Sequence, residues 1–192
     1  MQTIKEHSLC FTGHRSERLP RTEKEMVRLK DRLLAEIDKE IANGIDTFYF
    51  GACYGFDLLA GQMVLTRKKV IHLYDPDPRQ IKLIAVIPYE EQASRWREKD
   101  RELYYDYLLP YCNEAITLHT KFQCGCYHEG NWYMVDRCNK MICYYDGGNG
   151  GTAYSVNYAK INGLEITNLY ELLMFRVTHL GAPIKIKIRA DI

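Results

Sequence analysis

Short apolar segments alternate with longer amphipathic segments along the chain. The apolar segments have the length of buried strands and predict six of them, at residues 9–12, 46–50, 81–87, 115–118, 141–145 and 164–167. The clearest amphipathic segment covers residues 22–43, where apolar residues recur with a helical period. Thr22 and Glu25 form a capping-box signature at its start, and Asn43 with Gly44 ends it. This segment is predicted to be a helix.

Further helices are predicted from about residue 56 and at residues 92–109, 131–139, 152–162 and 169–180. Residues 68–79 contain two Asp-Pro pairs and are expected to form a loop. Residues 121–130 show no period and are expected to be irregular.

Strands that alternate with helices imply right-handed βαβ units, and hence a parallel sheet covered by helices on both faces. The predicted fold class is therefore α/β, a three-layer α/β/α sandwich with a mostly parallel sheet, in one domain spanning residues 1–192. Ile184, Ile186 and Ile188 alternate with basic residues, which predicts an edge strand with one buried face. This strand is a candidate antiparallel edge of the sheet and a candidate surface for homo-oligomer pairing.

The composition is that of a soluble globular protein, with 46% hydrophobic and 27% charged residues. The formal net charge is +1, so no overall field attracts the chain to nucleic acid or to acidic membranes. No apolar run approaches the length of a membrane span, and residues 1–6 lack the apolar core of a signal peptide. We therefore expect a cytoplasmic protein that contacts no membrane and has no nucleic acid partner.

The cysteines number seven and include no C-x-x-C pair. In a cytoplasmic protein this pattern indicates reduced, mostly buried thiols. Cys124, Cys126 and His128 form a C-x-C-x-H segment, but its spacing differs from that of zinc sites, and the fourth ligand would have to be His119 or Cys138. The sequence therefore predicts no metal site. It also lacks the P-loop motif of NTPases and the G-x-S-x-G motif of serine hydrolases.

Three glycine-bearing loops each follow a predicted strand: T-G-H-R at 12–15, G-A-C-Y-G-F-D at 51–57 and D-G-G-N-G-G-T at 146–152. In a parallel sheet these loops lie at the carboxyl edge, where the ligands of open α/β sheets bind. Glycine lets backbone N–H groups approach a ligand closely, and the dipole of a following helix favours negative charge. The three loops therefore predict a shared cleft for a phosphate-bearing small molecule.

Together with N-W-Y-M-V-D at 131–136, these loops resemble, in the same order, the YpsA-like branch of the SLOG superfamily. The resemblance covers about residues 8–168. It implies a Rossmann-like fold, a nucleotide-derived ligand such as ADP-ribose or an NAD-related molecule, and a role in bacterial cell division or stress. The superfamily also includes LOG-type phosphoribohydrolases and the DNA-processing protein DprA.

Two positions depart from the patterns of this superfamily. LOG enzymes carry P-G-G-x-G-T-x-x-E, whose glutamate serves catalysis, and Ser155 occupies that position here. The YpsA-like pattern commonly has an arginine before its asparagine, where this chain has Gly130. We therefore name no catalytic residue and favour a ligand-binding or sensing protein over an enzyme.

The candidate ligand-binding residues come from these four segments, and each has a structural alternative. They are Thr12, Gly13, His14, Arg15, Gly51, Gly55, Asp57, Asn131, Asp136, Asp146, Gly147, Gly148, Gly150, Gly151 and Thr152. Arg15 suits bidentate phosphate contact or a surface salt bridge. Gly51 and Gly55 permit close approach of a ligand or serve strand–helix packing. The glycines of the third loop contact phosphate or form a tight turn with Thr152 as N-cap.

The acidic, amide and histidine candidates also have two interpretations each. Asp57 contacts a ribose hydroxyl or stabilises the start of a helix, and Asp146 holds a ribose diol or shapes the turn as an Asx residue. Asn131 and Asp136 reach the cleft or cap a short helix. His14 is expected to make a structural hydrogen bond, with a phosphate contact or acid–base chemistry as the alternative.

Two other functions stay open. An N-glycosidic nucleotide hydrolase would use Asp57, Asp146 or His14 for acid–base chemistry, although Ser155 replaces the LOG glutamate. DprA-like binding of single-stranded DNA would need a basic surface stripe, of which the near-neutral charge gives no sign.

Overall fold

Six parallel strands form the central sheet in the computed structural model, which describes residues 4–74, 80–177 and 183–189. The strands are β1 Ser8–Gly13, β2 Thr47–Phe50, β3 Lys82–Ile87, β4 Glu114–Thr117, β5 Lys140–Tyr144 and β6 Glu165–Asn168. Their spatial order is β4-β3-β2-β1-β5-β6, and every neighbouring pair is parallel. The six predicted strands and the parallel sheet are confirmed.

Among the described residues, five α-helices accompany the sheet: α1 Glu23–Ala42, α2 Phe56–Tyr74, α3 Glu98–Glu102, α4 Cys126–Val135 and α5 Gly151–Ile161. Helix α3 continues as a π-helical turn, Leu103–Leu108, and a short 3₁₀ turn, Leu109–Tyr111. In the part of the chain that the structure describes, no helix is both long and apolar enough to cross a bilayer.

The buried sheet carries apolar side chains on both faces, as a doubly covered parallel sheet requires. In β1, Leu9 and Phe11 belong to the core cluster that includes α1 and α2, whereas Cys10 belongs to a second cluster that includes α4 and α5. Because successive strand side chains point to opposite faces, one strand contributes to both cores. The three-layer α/β/α architecture is confirmed.

Helix α1 begins and packs as its sequence predicts. The Thr22 hydroxyl oxygen accepts a hydrogen bond from the Glu25 N–H at 3.3 Å, and the hydroxyl itself donates to the Glu25 carboxylate at 2.7 Å. This arrangement satisfies a backbone N–H at the helix start that has no partner within the helix. Leu29, Leu33 and Ile37 are buried along one face and hold the helix against the sheet.

Three predicted boundaries are wrong. Helix α2 continues to Tyr74, so the loop expected from residue 68 is helical up to that point, where Ile71 packs against the core; residues 75–79 lie outside the described residues. Helix α4 begins at Cys126 within a segment expected to be irregular, because Cys126 is fully buried. Residues 92–97 form turns in place of the first part of a helix. In the first two cases tertiary packing accounts for the boundary.

The C-terminal segment forms a separate antiparallel hairpin of β7 Glu171–Val177 and β8 Pro183–Arg189. The helix predicted over 169–180 is therefore wrong where the structure describes it, because periodicity does not distinguish a short apolar strand from a helix. The predicted strand at 184–188 is present. It pairs with β7, so the prediction that it forms an antiparallel edge of the main sheet is wrong.

Candidate functional site

The strand order reverses between β1 and β5, which are hydrogen-bonded neighbours although they lie far apart in the sequence. The three glycine-bearing loops follow β1, β2 and β5, so they meet at one edge of the sheet. A cleft of about 780 Å³ opens there and is lined by residues of all three loops and of α4. Its volume lies in the range of small-molecule sites.

Most of the residues predicted from the sequence line this cleft. They are Thr12, Gly13, His14, Arg15, Gly51, Asp57, Asn131, Gly150, Gly151 and Thr152. Gly55, Asp146, Gly147 and Gly148 belong to the same loops without lining the cleft. Asp136 is exposed at the C-terminal end of α4, where its carboxylate accepts a hydrogen bond from the Tyr158 hydroxyl at 3.0 Å.

Gly55 allows the first and second loops to pack closely against each other. Its φ is +101°, and a Cβ there would lie 2.6 Å from the His14 carbonyl oxygen and 2.7 Å from the Arg15 Cα. The Phe56 N–H donates to the same His14 carbonyl at 3.0 Å. Glycine is therefore required at residue 55 by the backbone conformation and by the close approach of the first loop.

His14 joins the first loop to the third. Its Nε2 lies 2.9 Å from Asp146 Oδ1 and 3.1 Å from the Asp146 backbone nitrogen, and its Nδ1 lies 3.3 Å from the Thr152 hydroxyl. Burial lowers the pKa of His14, an effect that Asp146 partly offsets. The Asp146 backbone N–H donates to Nε2, so the neutral imidazole accepts at this nitrogen and carries its proton on Nδ1, which faces the Thr152 hydroxyl. The predicted structural hydrogen bond of His14 is present.

The third loop is shaped by Asp146. Its Oδ1 accepts a hydrogen bond from the Gly148 N–H at 2.9 Å, which is the Asx interpretation of this residue, and its other oxygen pairs with Arg18. Partial burial tends to raise the pKa of Asp146, but the bonds from Gly148 and Arg18 outweigh it and lower the pKa. The carboxylate therefore stays ionised and stabilises the turn of the third loop through Gly148 and Arg18.

Helix α5 opens towards the cleft with glycines at its start. Gly150 is the N-cap residue with φ +139°, and within the described chain no side-chain hydrogen bond caps it. Thr152 therefore lies inside the helix, and the alternative that made it the N-cap is wrong. A Cβ at Gly150 or Gly151 would meet no described atom within 4 Å, so the space beside these two Cα atoms is open. An N-terminus of this kind favours an anion.

Asp57 is a buried carboxyl group in the first turn of α2. Burial raises the pKa of Asp57 to about 7, even though Arg15 and a backbone hydrogen bond oppose the shift. Its Oδ1 has no hydrogen-bond partner among the described residues. A Cβ at Gly51 would lie 2.8 Å from Asp57 Oδ2, so Gly51 makes room for the carboxyl group. The cleft thus contains a polar atom that lacks a partner.

Arg15 extends between two aromatic rings. The guanidinium carbon lies 5.0 Å from the ring centroid of Tyr54 and 5.7 Å from that of Tyr127, and Nη1 donates to the Tyr54 carbonyl at 3.5 Å. These contacts orient the guanidinium through cation–π attraction and leave most of its N–H donors for another partner. They replace the surface salt bridge that was the alternative for this residue.

The sequence did not single out several residues of the cleft, among them Tyr154, Arg18 and Glu17. His128 was considered only for metal binding, and its ring instead lies 4.0 Å from that of Tyr154, while its Nδ1 is buried without a partner in the described chain. Recognising that α4 starts at Cys126 would have brought Tyr127 and His128 to the cleft. No group of three potential metal ligands occurs among the residues described.

A family model named YpsA, described as the YspA SLOG family, matches residues 9–180. The chain belongs to this family. A relative, the uncharacterized SPbeta prophage-derived protein YoqJ of Bacillus subtilis (strain 168), is 30% identical over 149 residues, which cover 70% of this chain and 82% of YoqJ. The family resemblance inferred from the loops is therefore confirmed.

Solved structures share the fold of this YpsA-family chain at low sequence identity. The structure of TM1055 matches with a TM-score of 0.50 and 16% identity over 83% of this chain and 71% of that one. DprA from Streptococcus pneumoniae matches with a TM-score of 0.55 and 13% identity over 86% of this chain and 50% of that one. DprA from Helicobacter pylori, described for its single-stranded DNA binding mode, matches with a TM-score of 0.53 and 12% identity over 86% and 66%. These likenesses show the fold, and this chain spans half to two thirds of the DprA chains.

Ser155 and Gly130, the two residues that depart from the superfamily patterns, both line the cleft of this YpsA-family protein. Ser155 is buried, and its hydroxyl donates to the Gly151 carbonyl at 3.0 Å, so a neutral group stands where LOG enzymes have a carboxylate. A Cβ at Gly130 would meet its nearest neighbour, Pro88, at 3.8 Å, which is ordinary contact. Space in the cleft therefore does not require glycine at residue 130.

Proposed function

We propose that this YpsA-family protein binds or senses a nucleotide-derived ligand in the cleft, such as ADP-ribose or an NAD-related molecule. The observation that carries the proposal is the open N-terminus of α5 facing the same cleft as Arg15. Helix N–H groups and a guanidinium are both anion-binding groups, and together they suit the oxygens of a phosphate or pyrophosphate.

The sugar of such a ligand would contact Asp57. Its Oδ1 has no partner among the described residues, and a buried polar atom without a hydrogen bond costs free energy. A ribose hydroxyl donating to this oxygen would remove that cost. The combination of phosphate donors and a buried carboxyl group supports a phosphorylated ribose over a simple anion.

Calorimetric titration with ADP-ribose, NAD and nucleoside mono- and diphosphates tests the proposal. We expect Arg15→Gln to weaken binding by about tenfold or more, since a hydrogen bond to a charged group contributes about 1.5–3 kcal/mol. Arg21→Gln, an exposed arginine outside the cleft, is the matched control and should bind as the wild type does. Absence of binding by every one of these compounds at millimolar concentration would overturn the proposal.

A second candidate function is hydrolysis of the N-glycosidic bond of a nucleotide. The observation that favours it is the pKa of Asp57, which burial raises to about 7, a value suited to general acid–base chemistry near neutral pH. Incubation with nucleoside 5′-monophosphates, followed by chromatography for free base and ribose 5-phosphate, tests it. Release that is lost in Asp57→Asn would support a hydrolase, and intact substrate would exclude one for these compounds.

DNA binding is not part of the proposal. The likeness to DprA is one of fold, and the formal net charge of +1 provides no basic footprint. That nucleic acid is not a partner stays a prediction, and an electrophoretic shift with single-stranded DNA at physiological salt would contradict it. The cytoplasmic location and the role in cell division or stress that the resemblance implies also stay predictions.

A further inference from the structure

A second, smaller cavity of about 340 Å³ adjoins the cleft, and its walls are rich in aromatic side chains. Tyr54, Tyr89, Trp96 and Tyr127 line it, together with polar residues that include Arg95. Tyr54 belongs to the G-A-C-Y-G-F-D loop, whereas the other three aromatic residues lie outside the glycine-bearing loops. Tyr54 follows β2 and Tyr89 follows β3, so the cavity extends the cleft along the carboxyl edge of the sheet.

The two cavities share a wall. Tyr127 and Glu17 line both of them, and the Arg15 guanidinium in the cleft lies against the rings of Tyr54 and Tyr127. On the same wall, the Cys53 thiol, which lines the cleft, donates to Gln92 Oε1 at 3.5 Å, and Gln92 lines the second cavity. A ligand whose phosphates contact Arg15 therefore has its next group beside the aromatic residues.

The aromatic rings are held in fixed positions. Tyr54 and Trp96 form an edge-to-face pair at 5.3 Å, and Trp96 contacts the buried ring of Tyr104 at 5.2 Å. Gln92 Nε2 donates to the Tyr104 hydroxyl at 3.2 Å and to the Ala52 carbonyl at 3.1 Å. Tyr104 belongs to the π-helical turn after α3, a conformation that is frequent at functional sites.

We propose that this aromatic cavity receives the planar base of the nucleotide whose phosphates occupy the cleft. The inference rests on the proposed function and narrows it: the ligand class is a nucleotide with a heteroaromatic base, and a phosphorylated sugar without a base would leave the cavity unfilled. Stacking suits this position because every nucleobase presents a π-face to an aromatic side chain.

The other aromatic wall of the cleft is the alternative position for the base. The His128 and Tyr154 rings lie 4.0 Å apart, so each covers part of the other, and the Trp132 indole N–H donates to the Tyr154 hydroxyl at 3.1 Å. Substitution can distinguish the two positions for the base, because Trp96 belongs to one wall and Tyr154 to the other.

Titration of ADP-ribose and ribose 5-phosphate into single variants tests the inference. We expect Trp96→Leu to weaken ADP-ribose binding by about tenfold while ribose 5-phosphate binding changes less than about twofold, since stacking acts on the base alone. Trp96→Phe keeps an aromatic face and should restore most of the affinity. Tyr107→Leu, which replaces an exposed tyrosine outside both cavities, is the control and should bind both compounds as the wild type does.

Fluorescence gives an independent measurement, because the chain has two tryptophans and Trp132→Phe leaves Trp96 as the sole reporter. ADP-ribose should quench this emission, and ribose 5-phosphate should not. Equal ADP-ribose affinity in Trp96→Leu and wild type, or loss of base-dependent affinity in Tyr154→Leu, would overturn this inference and leave the proposed function standing. Absence of binding by ADP-ribose, NAD and the nucleoside mono- and diphosphates would overturn the proposed function, and the inference with it.

Discussion

Nε2 of His14 lies 2.9 Å from Oδ1 of Asp146, although the two residues belong to loops that are widely separated in the sequence. The contact joins the loop after β1 to the loop after β5, across the point where the strand order reverses. Both sides of the cleft are thereby held in place before any ligand arrives. Such preorganisation lowers the entropic cost of binding.

Replacing His14 should therefore weaken both the fold and the site. We expect His14→Ala to lower the free energy of unfolding by about 1–3 kcal/mol, because it removes a buried hydrogen-bonding group and leaves Asp146 and Thr152 without this partner. Urea denaturation measures the loss, and titration with ADP-ribose should show weaker binding. His72→Ala, an exposed histidine on α2, is the control and should be close to neutral. Equal stability of the two variants would contradict the structural role.

The pH dependence of stability should report on Asp57. The pKa of this group is raised from its ordinary 3.8 to about 7 in the folded protein, so the folded state holds the proton more tightly than the unfolded chain does. The stability that this proton contributes is present at low pH and is lost as the pH rises from about 4 to about 7. Asp57→Asn cannot ionise and should lack this loss.

The measurement is the free energy of unfolding of wild type and Asp57→Asn across that pH range. As the pH rises across this range, the free energy of unfolding of Asp57→Asn should increase relative to that of the wild type by a few kcal/mol. Each pKa unit corresponds to about 1.4 kcal/mol. Comparing the two proteins cancels the titration of other groups. Parallel curves would show that Asp57 does not titrate with a raised pKa.

Gly55 should tolerate no side chain. We expect Gly55→Ala to cost about 2 kcal/mol or more, because its φ of +101° is strained for alanine and the new Cβ would collide with the His14 carbonyl. Gly130→Ala is the matched control, since its Cβ has ordinary space and alanine favours the α4 helix by about 1 kcal/mol over glycine. The midpoint of thermal unfolding should fall in Gly55→Ala and should not fall in Gly130→Ala. Similar losses in both would refute the backbone argument.

Thr22 should contribute a typical N-cap free energy. Thr22→Ala removes the acceptor for the Glu25 N–H and should cost about 1 kcal/mol. Thr66→Ala provides the comparison, because Thr66 is exposed within α2 and its hydroxyl bonds to the Gln62 carbonyl of the preceding turn. Urea midpoints should fall for the first and stay unchanged or rise for the second. A neutral Thr22→Ala would mean that the cap contributes nothing to stability.

Prediction from the sequence worked where the signal is local. The capping box at Thr22, the positions of the strands and the loops after them depend on neighbouring residues, and the structure agrees with them. Prediction from the sequence failed at Cys126, a buried residue at which helix α4 begins. It also failed at Glu171–Val177, which forms a strand paired with β8. Packing partners that are distant in the sequence decided these segments.

The sequence by itself determined the alternation of strands and helices, the family and the three glycine loops, because hydrophobic period, capping and turn chemistry act over a few residues. The tertiary structure alone decided that β1 lies beside β5, that Tyr127 from α4 meets Arg15 from the first loop, and that Asp57 is buried with a raised pKa. Strand order, burial and electrostatic environment depend on residues brought together from distant parts of the chain. No local pattern encodes them.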